Sequence, residues 1–421
     1  MKKVLFITTF FPPTVNVATS RIIKFLKYLP AYGWKAVVVC PASKKRHTDA
    51  SRKSLMQLSE SIQISPSGRN LFSDLVEQRN YDRFAVLLSQ IMNNLIPPDG
   101  HLYWALNSLS HIGKLIENEN PNLVFTTCNP YSLNLVGAWT KYKYDIPWVT
   151  DFRDLWTLNQ QPKRFLNTYN QGVSKLLEDF YLKRCDQLIV TTENSKKRMI
   201  VRYPYLDGMV ENIPNGFDQE DIQHDEKSLP IPNSFFYGGS IVANTRYNPI
   251  SLLKLIAKAL GNTEGRNWQF HYAGADGETF DQMLREAQIH VKCISHGYLS
   301  HDSFYDLIQK MEYILMCLPP DIDCRSWIPS RLYDYIGNKA RIICLAPKDS
   351  EVFSLLRTHG NGLNLYYEKT EDIQTQKLVE YIFRDKQPEK VSESFANRFN
   401  REYLTKRLAG VFDQVISGYS R

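Results

Sequence analysis

The chain has 421 residues, a length typical of two or three domains, and its 43% hydrophobic and 23% charged residues are those of a folded globular protein. A formal charge of +7 suits anionic partners such as nucleotide diphosphates or acidic lipid, and it is too small to indicate nucleic-acid binding. The seven cysteines are scattered without a C-x-x-C pair, which indicates reduced cysteines of a cytoplasmic protein rather than a disulfide framework.

The first half of the chain alternates apolar, strand-like runs with amphipathic helical stretches. This alternation predicts a parallel sheet with crossover helices. The predicted strands are Val4–Thr8, Ala36–Cys40, Leu123–Thr127, Trp148–Thr150 and Leu188–Thr192. Residues 43–100 are polar and poorly periodic, so we expect a variable insertion there with one or two helices near Phe84–Leu95.

A break follows at the turn residues Ile213–Asp218 and the acidic stretch Gln219–Pro232, which predict an interdomain linker. The second half repeats the alternation, and its predicted strands are Phe235–Tyr237, Gln269–Ala273, Tyr313–Leu318 and Arg341–Leu345. The chain ends in a helical stretch, Ala396–Ile416. We therefore expect two doubly wound α/β domains, 1–215 and 216–395, with a final helical segment, 396–421, that packs back toward the first.

The loops after the strands carry the residues with chemical potential, because parallel sheets bind ligands beyond the carboxyl ends of their strands. Gly238-Gly239-Ser240 follows the first strand of the second half, and Arg246 lies shortly after it. Glycines allow close approach of the backbone to a ligand, and arginine can hold a phosphate through two hydrogen bonds. Taken alone, Gly-Gly-Ser is more often a structural turn than a ligand-binding loop.

A second set of polar residues begins a helix. Pro329-Ser330 forms the start of this helix, and Arg331 and Asp334 follow three residues apart on one face. The helix amides and Arg331 suit a pyrophosphate, and Asp334 can accept hydrogen bonds from a ribose diol. The alternative is a capped helix with an exposed ion pair.

The order of the motifs resembles that of the retaining GT-B glycosyltransferases of family four over nearly the whole chain. In the first half, Phe10-Phe-Pro-Pro13 and Asp151-Phe-Arg-Asp-Leu-Trp156 carry the resemblance. In the second half, Pro214–Asp218, Gly297-Tyr298 and Pro329–Tyr335 carry it, and the last is similar to the family's Pro-Ser-Lys-Leu-x-Glu-Tyr.

The resemblance implies a GT-B fold, in which two Rossmann-like domains face each other across a cleft. The C-terminal domain would bind a UDP- or GDP-linked sugar, with Asp334 on the ribose and Arg246 and Arg331 on the diphosphate. The remaining donor-binding residues would be Gly238, Gly239, Ser240, His296, Gly297, Tyr298, Ser330 and Leu332. Neither a cofactor nor a metal is expected, although Asp321-Ile-Asp323 matches the D-x-D pattern that any short acidic loop can produce.

The N-terminal domain would bind the acceptor. Asp151 is expected to be catalytic together with Arg246 and Arg331, and Arg153 and Asp154 to contact the acceptor, although a strand-end Asp-Arg pair is also a common internal salt bridge. Asn16 and Ser20 occupy the loop in which many relatives carry Gly-Gly. Two further departures are Ser326, where relatives carry glutamate, and the lack of the usual histidine, for which His101 is the one candidate.

The resemblance implies transfer of a sugar, with retention of anomeric configuration, to a lipid-linked or polysaccharide acceptor in cell-surface polysaccharide biosynthesis. The chain has no run of 18 apolar residues, so we expect peripheral contact with the inner face of the plasma membrane, through the basic and aromatic stretches Arg21–Tyr28 and Trp139–Tyr144. Two alternatives stay open, a nucleotide-sugar epimerase of the same fold and a catalytically inactive GT-B partner in an assembly complex.

Overall fold

The computed structural model describes residues 1–43, 45–78, 83–158, 165–222, 231–241, 248–261, 267–320, 326–367, 369–383 and 393–419. The chain divides into two compact units. The first consists of Met1–Asn215 and Glu402–Arg421, and the second of Gly216–Arg401.

The described part of the first unit contains a seven-stranded parallel sheet with strand order β3-β2-β1-β4-β5-β6-β7. Its strands are β1 (Lys2–Ile7), β2 (Trp34–Ala42), β3 (Ile62–Arg69), β4 (Leu123–Cys128), β5 (Trp148–Phe152), β6 (Gln187–Val190) and β7 (Val210–Asn212). Its first helices are α1 (Val17–Tyr28), α2 (Asp49–Met56), α3 (Leu71–Gln78), α4 (Arg83–Leu95), α5 (Leu102–Glu119), α6 (Leu133–Tyr144), α7 (Phe165–Leu182) and α8 (Glu193–Arg202).

The inner strands are apolar because both faces of this sheet are covered. In β1, Val4 and Phe6 point into one apolar cluster and Leu5 and Ile7 into another, and all four side chains are fully buried. This follows from the two-residue repeat of a strand. The five strands predicted for this half are confirmed to within a few residues at their ends.

The prediction for residues 43–100 is wrong in one respect. This region was expected to contain helices only, and it also contains a strand. β3 extends the sheet as an edge strand beside β2, with Ala36 paired to Ile62. Pro66 and Gly68 make this segment read as a turn, yet proline is tolerated on an edge strand, which has a neighbour on one side only.

The second unit contains, within its described residues, a six-stranded parallel sheet with order β10-β9-β8-β11-β12-β13. Its strands are β8 (Ile231–Gly238), β9 (Gln269–Ala273), β10 (Ile294–Ser295), β11 (Met311–Cys317), β12 (Ile342–Leu345) and β13 (Gly362–Leu365). Its helices are α9 (Ile250–Leu260), α10 (Gly277–Glu286), α11 (His301–Lys310), α12 (Ser330–Gly337), α13 (Glu351–His359), α14 (Glu371–Phe383) and α15 (Glu393–Asn397).

The last helix, α16 (Arg401–Tyr419), packs into the core of the first unit. The ring of Phe412, which is fully buried, lies 5.2 Å from that of Trp34 and 5.4 Å from that of Phe125. The C-terminal residues therefore complete one face of the first sheet.

Both sheets reverse their strand order beside their first strand. β1 lies between β2 and β4, and β8 lies between β9 and β11, so each sheet has a topological switch point at its carboxyl edge. Ligands of doubly wound sheets bind at this point. The predicted fold of two doubly wound parallel sheets is confirmed, and the switch points locate the two edges where function is expected.

The packing of α6 against β5 can be tested by a substitution at Gly137. A Cβ at Gly137 would lie 2.1 Å from the fully buried ring of Trp148. Gly137→Ala should therefore lower the free energy of unfolding by about 1–3 kcal/mol, because overpacking outweighs the gain in helix propensity.

Gly172→Ala is the matched control in α7, since the exposed Gly172 has nothing within 4 Å of its notional Cβ. It should raise stability by about 0.5–1 kcal/mol. Denaturant unfolding measures both changes, and equal effects at the two glycines would contradict the packing described here.

Candidate functional site

The carboxyl edge of the second sheet brings Gly239 and Arg331 together. Gly239 directly follows β8 and has a φ of +126°, and a Cβ there would lie 2.1 Å from Nη1 of Arg331 in the first turn of α12. Glycine is required for both reasons, since few other residues adopt this φ and none leaves space for the guanidinium. The backbone of one loop and a half-buried cation of the next thus meet at the switch point between β8 and β11.

Three strand-end loops are joined by hydrogen bonds at this edge. The Gly239 amide donates to the Ala273 carbonyl at 2.8 Å, and the Gly274 amide donates to the Gly297 carbonyl at 2.8 Å. The Tyr272 hydroxyl donates to the Gly239 carbonyl. Gly274, with a φ of +156°, was not predicted as a site residue, although the sequence Gly274-Ala-Asp-Gly after a predicted strand was a usable signal.

Asp334 lies one turn further along α12. Its Oδ1 accepts a hydrogen bond of 2.6 Å from the hydroxyl of Tyr305, a buried residue of α11. Burial raises the pKa of Asp334 to about 6, against the lowering effect of the Tyr305 hydrogen bond. The described residues show no ion pair between Arg331 and Asp334, so the simple alternative of a surface pair on α12 is not what the structure shows.

The remaining predicted donor residues differ in exposure and in hydrogen bonding. His296 is half-buried, and its amide donates to the Tyr272 carbonyl at 2.8 Å. Gly297 has a φ of +63°, and Tyr298 is 94% exposed. Ser240 is exposed after β8.

The start of α12 holds the last two predicted donor residues. Ser330 is half-buried there. Leu332 is fully buried in the core and its amide donates to the Pro329 carbonyl at 3.0 Å, so the geometry gives it a packing role instead. Arg246, Asp321 and Asp323 lie outside the described residues.

The carboxyl edge of the first sheet is arranged differently, around a buried ion pair between Asp151 and Arg21. Both side chains are 1% exposed. Arg21 donates to the two carboxylate oxygens at 2.9 and 3.2 Å, and Thr127 donates to Oδ2 at 2.9 Å. The guanidinium also donates to the carbonyls of Ile213 and Pro214 at 2.9 and 2.8 Å.

Asp151 is therefore buried and paired within the fold, and its carboxylate is not exposed to a ligand. Its carboxylate accepts hydrogen bonds from Arg21 and Thr127. The ion pair links α1 and β5 to the segment just before Asn215, where the first part of this unit ends. The partner is Arg21 and not the neighbouring Arg153. A catalytic role for Asp151 stays a prediction that this geometry does not favour.

Most other members of the Asp-Phe-Arg-Asp-Leu-Trp segment also have internal partners. Arg153 donates to the carbonyls of Cys128, at 3.3 Å, and Asn129, and its guanidinium lies 4.8 Å from the ring of Phe10. Trp156 stacks on Tyr131 with ring centroids 4.7 Å apart. The segment joins the loops after β4 and β5, and Asp154 is its one exposed residue.

The loop before α1 carries the other predicted acceptor residues. Asn16 is the N-cap of α1, where its Oδ1 accepts from the Thr19 amide at 2.9 Å, and Ser20 is exposed on the first turn. These two residues and Asp154 are accessible for an acceptor.

His101, the candidate histidine, lies beside a buried carboxylate that the sequence did not single out. Its Nδ1 is 2.7 Å from the Asn70 amide nitrogen, its ring contacts Phe72, and burial lowers its pKa. Asp99 is 7% exposed. Its carboxylate accepts hydrogen bonds from the amides of Tyr131 and Ser132, at 2.7 and 3.1 Å, in the two residues that precede α6. Both residues have structural partners.

The Asp151 assignment can be tested by its effect on stability. Asp151→Asn leaves the buried Arg21 without its counter-charge, which should lower the free energy of unfolding by about 3–5 kcal/mol. Asp49→Asn removes the carboxylate of an exposed pair with Arg52 and should change stability by less than about 0.5 kcal/mol. An Asp151→Asn protein that is as stable as the unmodified chain but inactive would restore the catalytic assignment.

The chain was compared with curated protein sequences, solved structures and protein families. A search of curated protein sequences finds no match. Solved structures match across nearly the whole length, including sucrose-phosphate synthase of Thermosynechococcus elongatus, at 11% identity and a TM-score of 0.66, with 99% of this chain and 100% of that one covered.

Two further similar structures contain ligands. HepE of Anabaena, solved with UDP-glucose, is 13% identical with a TM-score of 0.62 and covers 98% of this chain and 100% of its own. A variant of TarM from S. aureus, solved with Fondaparinux, alpha-GlcNAc-glycerol and UDP, is 10% identical with a TM-score of 0.60 and the same two coverages. At such identities these structures establish the fold, which is the GT-B fold of two Rossmann-like units.

The sequence itself matches one family. Residues 18–221, which span the first sheet from α1 to the linker, match the profile of Glycosyltransferase Family 4. This match covers just under half of the chain, and the fold around it is the GT-B fold.

Proposed function

We propose that the chain is a glycosyltransferase that moves a sugar from a UDP- or GDP-linked donor to a lipid-linked or polysaccharide acceptor. The observation that carries this proposal is the contact of Arg331 with Gly239 at the switch point of the second sheet, one helical turn from Asp334. The family profile on the first unit and the UDP-containing structures of the same fold support it.

The chemistry at this edge suits a departing diphosphate. Negative charge develops on the diphosphate as the bond to the sugar breaks, and fixed donors stabilise that charge without rearranging. Arg331 and the first amides of α12 provide such donors beside the Gly239 backbone, and Arg246 is proposed to add a second cation. Asp334, held by Tyr305, would accept the hydroxyls of the ribose.

The stereochemistry and the metal requirement are proposals that rest on the resemblance to family four. We propose retention of the anomeric configuration and transfer without a metal ion. The described side chains form no group of three or more His, Cys, Asp or Glu residues that could hold a metal. The anomeric proton signal of the product and the rate in chelator are the two readouts.

We propose a smaller set of acceptor residues than the sequence indicates. Asp154, Asn16 and Ser20 are exposed at the carboxyl end of the first sheet and are proposed to contact the acceptor. Arg153 is proposed to act through its hydrogen bonds to the Cys128 and Asn129 carbonyls, by fixing the loop after β4 on which the acceptor would rest. An epimerase would differ in converting the nucleotide-sugar when no acceptor is present.

Binding of UDP-glucose at different pH values tests the donor site. The Asp334 carboxylate must be ionised to accept two ribose hydrogen bonds, and burial raises its pKa to about 6. Only about a tenth of such carboxyls are ionised at pH 5, so affinity should fall about tenfold between pH 8 and pH 5. UDP-glucose is the suitable probe because it lacks the terminal phosphate that titrates near pH 6.

Asp334→Asn should bind more weakly at pH 8 and lose this pH dependence. Asp306→Asn makes the same change at an exposed position of α11 and should behave like the unmodified protein. Calorimetry measures all three affinities. Absence of binding by both UDP-glucose and a GDP-linked sugar, or an identical pH dependence in Asp334→Asn, would rule out this donor site.

Membrane contact is proposed at a surface other than the stretch Arg21–Tyr28, which is one of the two stretches expected from the sequence. In the stretch Arg21–Tyr28, the side chains of Arg21, Lys24 and Phe25 are buried, so this helix face is not available to lipid. Among the described residues, each helix is too short or too polar to span a bilayer.

An apolar row on α4 is better placed for peripheral contact. Phe84, Leu87, Ile91 and Leu95 follow helical spacing and are 68%, 55%, 37% and 45% exposed, and residues 84–95 contain no charge. Asn170 of α7 donates to the Asn93 carbonyl, and α7 adds exposed Leu176 and Phe180 with Arg184 over the Phe180 ring. An apolar row with a cation nearby fits the surface of an anionic bilayer at the inner face of the plasma membrane.

Sedimentation with vesicles of anionic phospholipid tests this surface. Phe84→Ser combined with Leu87→Ser should reduce the bound fraction severalfold, because it removes about two buried side chains' worth of apolar contact. Met56→Ser changes an 85% exposed residue of α2 and should leave binding unchanged. Equal binding by the double variant and the control would rule out α4 as the contact.

A further inference from the structure

Two histidines meet at the carboxyl edge of the second sheet, next to the proposed donor site. His271 lies in β9 and is 4% exposed, and His296 follows the paired strand β10. Nδ1 of His271 is 3.0 Å from Nε2 of His296, and the planes of the two rings are 12° apart, as an in-plane hydrogen bond between them requires. A hydrogen bond between two imidazoles requires a proton on one nitrogen and a lone pair on the other.

A third residue determines which ring donates. Nε2 of His271 is 3.3 Å from Oε1 of Gln269, and an amide oxygen can only accept. With Oε1 of Gln269 facing the ring, the proton of His271 is on Nε2, and its Nδ1 is the acceptor. It follows that His296 carries its proton on Nε2, and that its own Nδ1 presents a lone pair.

Both rings are neutral in this arrangement. Burial lowers the pKa of His271 to about 4, with a further contribution from His296, and burial also lowers the pKa of His296. Each neutral ring has one proton. The hydrogen bond from His271 to Gln269 fixes the proton of His271, and the hydrogen bond between the two rings then fixes the tautomer of His296. No other described residue hydrogen-bonds to Nδ1 of His296, and this ring is half-buried beside the positive-φ Gly297.

We infer that His296 presents its unprotonated Nδ1 to the base of the nucleotide, and that the relay Gln269–His271–His296 selects bases with a ring N–H on that edge. Uracil, thymine and guanine have this N–H, whereas the matching ring nitrogens of cytosine and adenine are lone-pair acceptors. His296 would contact the base, and His271 and Gln269 are positioning residues. This inference rests on the proposed function, because it takes the nucleotide to bind at this edge.

UDP and CDP are the sharpest pair of probes, because they share the ribose and diphosphate and differ at this base edge. With CDP, two lone pairs would face each other and both would lose a hydrogen bond. An unsatisfied polar group of this kind corresponds to about a tenfold to hundredfold difference in affinity. The protein should therefore bind UDP about ten to a hundred times more tightly than CDP in calorimetry.

Substitutions at His271 separate positioning from packing. His271→Phe keeps a ring but removes the acceptor, so UDP should bind more weakly and the preference over CDP should be lost. His271→Asn places an amide oxygen near the position of Nδ1 and should keep the preference. His290→Phe, the same substitution at an exposed histidine shortly before β10, is the matched control and should leave the ratio unchanged.

A second measurement needs no ligand and applies even if a His271 variant folds poorly. Nitrogen-15 NMR of the unmodified protein should show the Nδ1 signal of His296 in the unprotonated range and its Nε2 signal in the protonated range. The opposite tautomer, or an unchanged UDP-to-CDP ratio in folded His271→Phe, overturns the inference while the donor site stands. If none of UDP, GDP and CDP binds, the inference and the proposed function fail together.

Discussion

The close approach of Arg331 to Gly239 is the constraint on which the proposed donor site depends. The guanidinium occupies the space that a Cβ would fill, so the chain needs a glycine with a positive φ at the end of β8 and an arginine in the first turn of α12. Both positions lie at the switch point of a parallel sheet, where the fold leaves the strand ends open. Gly274 and Tyr272 hold the adjoining loops against the same glycine.

The first unit uses the equivalent edge in another way. There the polar residues after β4 and β5 are largely joined to one another, with Asp151 on Arg21, Arg153 on the Cys128 carbonyl and Trp156 on Tyr131. A buried ion pair with several hydrogen bonds fixes geometry more than it adds stability. The motif that most resembles the family in this half is thus explained mainly by the architecture of the edge, and Asp154 is its accessible group.

The inner strands could be predicted because burial on both faces requires an apolar run. The four strands that were missed are β3, β7, β10 and β13, which lie at or next to the sheet edges and are polar, short or both. An edge strand needs few apolar residues, so its pattern does not differ from that of a loop.

The candidate site could be predicted where one segment carries the signal, as in Gly238-Gly239 and Pro329–Asp334. Partners distant in sequence could not be predicted, because their roles arise only on folding. Arg21 has the pattern of an exposed helix cation and is 1% exposed against Asp151, 130 residues away. Tyr305 and His271 likewise give no local sign that they hold Asp334 and His296.

A crystal structure of the protein with UDP tests the central claim most directly. The account predicts the diphosphate against the Gly239 backbone and Arg331, the ribose hydroxyls on Asp334 and the base beside His296. A nucleotide bound elsewhere, or at this edge with its ribose turned away from Asp334, would contradict the account.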